Sequence, residues 1–109
     1  MRRSLTVASV LLSGLMLATP ALAQKTLRWG TEASYPPYEY KSASGEIIGF
    51  DVDLVQAMCA EMKVKCTFVD QAFDGLIPGL QAKKFDAIAA AMTITAEREK
   101  AVLFTKKLY

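Results

Sequence analysis

Apolar and polar positions repeat along this chain with periods that predict both strands and helices. Thr26–Thr31 alternates between the two types and ends on Gly30-Thr31, which is typical of a half-buried strand. From about Asp51 to Met62 the apolar residues recur at helical spacing, and acidic residues stand at the N-terminal end, where the helix dipole favours them. Residues 66–69 predict the next strand.

The second half of the pattern predicts shorter elements. A helix that carries Leu76, Ile77 and Leu80 is expected to be capped by Asp74. Pro78 is tolerated because it falls near the first turn. The nearly continuous apolar run 85–91 predicts a buried central strand. Thr95 is expected to cap a short helix through Lys100, and residues 102–104 predict a further strand.

The segments between these elements carry the signals of loops. Residues 35–40 form a proline-stiffened loop leading into extended chain, and residues 44–46 a turn. The alternation of strands and helices indicates an α/β fold with a mostly parallel sheet. Ligands of such sheets bind beyond the carboxyl ends of the strands, so the loops 31–38 and 92–95 are candidates.

The first 23 residues carry the pattern of a secretory signal peptide. Arg2 and Arg3 precede an apolar stretch over residues 5–18, and Ala21-Leu22-Ala23 gives a small-x-small cleavage site. The apolar stretch is shorter than the roughly 20 residues needed to span a bilayer. We therefore expect export to an oxidising compartment, with residues 24–109 as the mature segment.

Charge and composition narrow the function classes. The chain has 13 basic and 11 acidic residues, and removal of Arg2 and Arg3 leaves the segment near neutral. No basic patch suggests nucleic acid as a partner. The sequence contains no histidine, which excludes Ser-His-Asp or Cys-His catalysis within this segment.

Cys59 and Cys66 lie seven positions apart. In an exported chain they favour one disulfide between a helix end and the following strand, the alternative being two buried thiols. A zinc site would need more ligands, so no metal is expected.

Arg98 stands at the start of a predicted helix, where the dipole disfavours a cation. An anion explains this position: the guanidinium, the Thr93 hydroxyl and amide, and the free N–H groups after Thr95 together suit a carboxylate or phosphate. The alternative is a surface ion pair of Arg98 with Glu97 or Glu99. Chemistry alone does not separate the two interpretations.

Three more residues lie near the predicted ligand edge. Tyr35 and Phe73 adjoin loops there and are candidates for clamping an apolar ligand stem, although composition alone favours a core position for Phe73. Glu32 lies in the first loop, where it either faces a cationic ligand group or is merely solvated.

Five motifs of the mature segment resemble one known family. They read GTEASYPPY at 30–38, GFDVDL at 49–54, LIPGLQAKKFDAI at 76–88, MTITAERE at 92–99 and FTKKLY at 104–109. In this order they resemble the family 3 bacterial extracellular solute-binding proteins, which are periplasmic receptors of polar amino acid ABC transporters. They are most similar to the lysine/arginine/ornithine, histidine and opine types, which share a Cys pair at this place.

The resemblance implies how the backbone end of an amino acid is held. Arg98 matches the arginine that grips the ligand α-carboxylate, with help from the Thr93 amide. The Thr93 hydroxyl and the Ala91 carbonyl match groups that receive the α-ammonium. Ala90-Ala91 replaces the Ser-Ser that relatives often carry, so hydroxyl contacts from these positions are lost.

The resemblance also implies how the ligand side chain is held. Tyr35 and Phe73 match aromatic residues that sandwich it, and Glu32 matches a position that is acidic in basic-ligand receptors. The expected protein is a monomeric binding protein without cofactor, not an enzyme, which passes an arginine, lysine, ornithine, histidine or opine to an ABC permease.

The implied fold is a periplasmic-binding-protein-like type II lobe. Residues 24–109 correspond to an incomplete N-terminal lobe, truncated before the second lobe, and we expect weak ligand binding at best from this segment alone. Two alternatives stay open at this point: an enzyme on the same scaffold, resembling cyclohexadienyl dehydratases, and a non-functional truncated fragment.

Overall fold

A computed structural model describes residues 25–109, so the predicted signal peptide lies outside the described residues. Six strands and three helices follow one another over this range. The strands are β1 Thr26–Thr31, β2 Ser34–Tyr35, β3 Glu39–Lys41, β4 Ile47–Ile48, β5 Lys65–Asp70 and β6 Ala87–Ile88. The helices are α1 Phe50–Met62, α2 Leu76–Gln81 and α3 Ala96–Glu99. Within this range no helix is long and apolar enough to cross a membrane.

The larger sheet is parallel, as the pattern predicts, with strand order β5-β1-β6. The whole of β1 pairs with β5, so that Thr31 lies beside Asp70 at the carboxyl ends. On its other side β1 pairs only Trp29 and Gly30, with Ala87 and Ile88 of β6. The strand predicted from the alternation of residues 26–31, β1, is therefore the central strand of this sheet.

A second, antiparallel sheet was not predicted. Its order is β2-β3-β4, with Tyr35 paired to Glu39 and Tyr40 paired to Ile48. Its strands have only two or three residues, too few for an alternation to be recognised in the sequence. This sheet of β2, β3 and β4, called the wall below, includes both ends of the predicted loop 35–40 and lies beside the start of α1.

Helix α1 begins one residue before the predicted start. Gly49 precedes it with φ 134°, and its backbone lies against the Tyr38 carbonyl. The first N–H groups of the helix segment donate back to the wall: Phe50 N to Pro37 O and Asp51 N to Tyr38 O, both at 2.9 Å. Lys63 in the left-handed conformation ends the helix.

The predicted disulfide is present between Cys59 at the end of α1 and Cys66 in β5, with 6.2 Å between their Cα atoms. These two residues and Val55 form a buried cluster against the sheet. A second cluster joins Leu76 of α2 to Phe85 and Ala90. Helix α2 carries Pro78 in its first turn, as expected.

Three details of the sequence prediction are wrong. Residues 85–91 form only the two-residue β6, at the edge of the described sheet, because Phe85 and Ala90 are used to pack against Leu76. Asp74 does not cap α2, because it lies inside a 3-10 turn, Phe73–Gly75, that precedes the helix. Residues 102–104 form no strand, since no described strand runs beside them to share a hydrogen-bond ladder.

Replacing Gly49 by alanine tests the contact that sets α1 on the wall. A Cβ there adds a clash with the Tyr38 carbonyl to the strain of a positive φ, so we expect Gly49→Ala to lower the free energy of unfolding by about 2–4 kcal/mol. Gly45, with φ 84° and open space around it, is the matched control, and Gly45→Ala should cost only about 1 kcal/mol. Urea unfolding measures both, and equal losses would contradict the role given to this contact.

Candidate functional site

The loop after β1 is held by the strand next to it. Asp70 ends β5 beside Thr31, and its Oδ1 accepts a hydrogen bond from the Ala33 N–H at 3.0 Å. Its Oδ2 pairs with Lys41 Nζ at 2.6 Å, and these two contacts, Lys41 first, lower the pKa of Asp70. Because Ala33 is fixed in this way, the neighbouring Glu32 is held at the carboxyl edge of the sheet.

A cavity of about 260 Å³ opens at this edge. Four of the six site residues predicted from the sequence line it, together with three others. The predicted ones are Glu32, Tyr35, Phe73 and Ala91, and the others are Ser34, Glu39 and Ala90. The parallel sheet thus brings together residues from three separate loops.

Arg98 lies over the ring of Phe73, one of the residues that line this cavity. Its guanidinium carbon is 5.3 Å from the centre of the Phe73 ring, which is a cation–π contact. Its Nη1 donates to the Thr93 carbonyl at 2.8 Å, and its backbone N–H donates to Thr95 Oγ1 at 3.1 Å, so Thr95 caps α3 as predicted. Within residues 25–109 Arg98 forms no ion pair with Glu97 or Glu99; Glu97 pairs with Lys100.

The segment before α3 is only partly placed as expected. Ala91 lies on the cavity with φ 48°, a conformation that an alanine rarely adopts and that is often found at functional sites. Thr93 does not line this cavity. It contacts Arg98 through its carbonyl and lines a broader neighbouring groove instead.

Sequence reasoning missed Glu39, which lies across the β2–β3 pair from Tyr35. It is 2% exposed, and its Oε2 has no hydrogen-bond donor within the described chain. Burial raises the pKa of Glu39 to about 8, and the adjoining Asp51 carboxyl and, less strongly, Glu32 add to the rise. The available signal was an acidic residue between two tyrosines in a stretch expected to be extended.

Asp51, predicted only as a helix-start residue, is buried beside Glu39. Its Oδ1 accepts a hydrogen bond from the Tyr109 hydroxyl at 2.6 Å, which raises the pKa of that tyrosine. The Tyr109 ring stacks on Tyr38, with 6.5 Å between ring centres. The C-terminal end of the described chain thereby contacts both the start of α1 and the segment between β2 and β3.

The sequence matches a known family model over residues 27–109, that of the bacterial extracellular solute-binding proteins, family 3. The chain belongs to this family. An L-arginine-binding protein of Pseudomonas aeruginosa is 50% identical over 109 residues, which cover all of this chain and 42% of that relative. This family member thus spans about two fifths of the length of the curated relatives that it matches.

Solved structures of amino acid-binding proteins share the fold of this family member. A Salmonella typhimurium periplasmic binding protein described as highly arginine-specific superposes with a TM-score of 0.73 and 49% identity, over 75% of this chain and 37% of that one. The arginine-bound form of domain 1 from TmArgBP superposes with a TM-score of 0.65 and 47% identity, over 69% of this chain and 60% of that one.

One solved neighbour bears on the enzyme alternative. It is an ancestral amino acid-binding protein described as a precursor of cyclohexadienyl dehydratase, with a TM-score of 0.65 and 49% identity over 69% of this chain and 33% of that one. It is itself named as a binding protein. All four of these relatives are therefore binding proteins or domains of them, and the dehydratase alternative is not favoured.

The buried acid makes a pH dependence of stability predictable. The pKa of Glu39 rises on folding from 4.5 to about 8, so between these values the folded chain holds a proton that the unfolded chain has lost. Stability should therefore fall, on the order of a few kcal/mol, as the pH rises from about 5 to 8, and level off above. The lowered pKa of Asp70 acts only in more acidic solution.

Urea unfolding between pH 5 and 8 measures this decline. Glu39→Gln should remove it, because the amide has the shape of the protonated acid and does not titrate. Glu46, an exposed acid in the turn before β4, is the control, and Glu46→Gln should leave the decline intact. A decline that survives in Glu39→Gln would show that another group is responsible.

Proposed function

We propose that this chain is the N-terminal, ligand-capturing lobe of a periplasmic receptor for cationic L-amino acids, with arginine as the first candidate. In this proposal residues 1–23 are a cleaved signal peptide and residues 24–109 are one half of the binding site. A second lobe of the whole protein closes over the ligand, and the monomeric receptor delivers it to an ABC transporter permease.

The observation that carries the proposal is a pair of opposite charges at one cavity. Glu32 lines the cavity, and Arg98 lies over the ring of Phe73, which also lines it. A cationic amino acid has a carboxylate at one end and a cation at the other, so these two residues match its two ends. The volume of about 260 Å³ lies near the lower end of small-molecule sites, which suits a ligand of this size.

The remaining contacts suit the middle of such a ligand. Tyr35 and Phe73 offer aromatic surface to an apolar side-chain stem. Ala91 lines the cavity and Thr93 lines the neighbouring groove, so the Ala91 carbonyl and the Thr93 hydroxyl are assigned to the α-ammonium group in this proposal.

Arginine is the first candidate because several relatives are named for it. The Pseudomonas aeruginosa relative, the Salmonella typhimurium structure and the TmArgBP domain all carry arginine in their descriptions. The last of these is a single domain with its ligand. Calorimetry of the purified chain with arginine, lysine, ornithine, histidine and an opine is therefore the direct test, and prephenate turnover tests the enzyme alternative.

Glu32→Gln should weaken the binding of cationic ligands and leave the binding of neutral ones unchanged. Loss of a charge-assisted contact should weaken arginine binding about 10–100-fold, since such contacts contribute about 1.5–3 kcal/mol. Binding of citrulline, which has the shape of arginine without the charge, should be unchanged. Calorimetry with both ligands checks this, and equal loss for both would remove the role given to Glu32.

Arg98→Lys should weaken the binding of arginine and of citrulline to the same extent. Lysine keeps the charge but lacks the planar fork that binds a carboxylate with two hydrogen bonds, so a loss of about tenfold or more is expected for arginine and citrulline. Arg28→Lys is the control, because Arg28 pairs with Asp86 away from the cavity. Unchanged binding in Arg98→Lys would contradict carboxylate recognition at this position.

A further inference from the structure

Glu39 occupies an unusual position for an acid. It lines the same cavity as Glu32, yet it is 2% exposed. No donor of the described chain reaches its Oε2. An ionised carboxylate in this position would lack the hydrogen bonds that normally compensate burial, so the geometry alone favours a protonated group.

The groups that face Glu39 reinforce this conclusion, because all of them are acidic or neutral. Asp51 adjoins it from α1, Glu32 faces it from the loop after β1, and the Tyr109 hydroxyl donates to Asp51. The cations of residues 25–109 that form ion pairs do so elsewhere: Lys41 with Asp70, Arg28 with Asp86 and Lys100 with Glu97. Two carboxyl groups, those of Glu32 and Glu39, thus line the cavity, and that of Asp51 adjoins Glu39. None of the ion-paired cations lines the cavity.

We propose that Glu39 is a second acidic group of the ligand pocket, and that it exchanges its proton for the cationic side chain of the ligand. When a guanidinium or ammonium group arrives beside Glu32, the Glu39 O–H bond breaks and the proton passes to water. The carboxylate that remains pairs with the ligand cation, so the charge on this side of the pocket is conserved. This inference rests on the function proposed above.

The exchange makes recognition dependent on charge and on pH. Because the pKa of Glu39 is about 8 without a ligand, most molecules hold the proton at pH 7. Binding of arginine should then release up to about one proton, and the arginine association constant should rise by up to about tenfold per pH unit between pH 6 and 8. A ligand with a neutral side chain leaves the proton in place and should show neither effect.

Calorimetry of the full chain in two buffers of different ionisation enthalpy counts the released protons. L-arginine and L-citrulline are the two ligands, and the variants are Glu39→Gln and the exposed control Glu46→Gln. We expect proton release with arginine in the unmodified chain and in Glu46→Gln. We expect none with citrulline, and none with either ligand in Glu39→Gln.

Arginine binding without proton release in the unmodified chain would overturn the inference while leaving the proposed function in place. Equal release from Glu39→Gln would overturn it as well. Failure of both ligands to bind, even at concentrations suited to weak binding, would instead remove the ligand-capturing role proposed for this chain, and the proton exchange with it.

A measurement without ligand tests the protonated state separately. The carbon NMR signals of the glutamate carboxyl groups, followed from pH 4 to 9 in the unmodified chain, should include one group that titrates near 8. This result does not depend on the folding of any variant. If every glutamate titrates below pH 6, Glu39 holds no proton to exchange.

Discussion

The parallel pairing of β1 with β5 and β6 is the constraint on which the rest of the structure depends. In a parallel sheet all carboxyl ends lie at one edge. The loops that follow Thr31, Asp70 and Ile88 therefore meet at one place. Glu32, Phe73 and Ala91 are far apart in sequence but line one cavity, because each of them comes shortly after one of these strands.

Two buried apolar clusters attach the helices to the sheet and so hold this edge in place. The disulfide and Val55 fix α1 to the sheet on one side, and Leu76, Phe85 and Ala90 fix α2. The apolar run 85–91 is largely used in this packing, which leaves the short β6. Phe85 also packs closely against Gly30 of β1, since a Cβ on Gly30 would lie only 2.5 Å from the ring.

The antiparallel wall adds the less expected part of the site. It carries Glu39 into the cavity lining and sets it against Asp51 at the start of α1. Two adjoining carboxyl groups in a buried place are unfavourable unless a proton or a cation lies between them. A carboxyl cluster that should lower the stability of the ligand-free chain at high pH is therefore suited to receive a positive charge, in keeping with the proposed ligand class.

The sequence by itself determined the elements whose signals are local. The alternation of β1, the helical spacing of α1, the turn at residues 44–46, the Thr95 cap and the nearness of the two cysteines all follow from neighbouring residues. Of the candidate site, Glu32, Tyr35, Phe73 and Ala91 were placed at the ligand edge by loop position and family motifs.

Only the tertiary structure decided the antiparallel sheet, the edge position of β6 in the described sheet, the place of Thr93 in the neighbouring groove and the contact of Glu39 with Asp51. These features depend on which distant segments share a ladder or exclude water from each other. Hydrophobic periodicity records whether a side chain is buried, but it does not record which partner buries it.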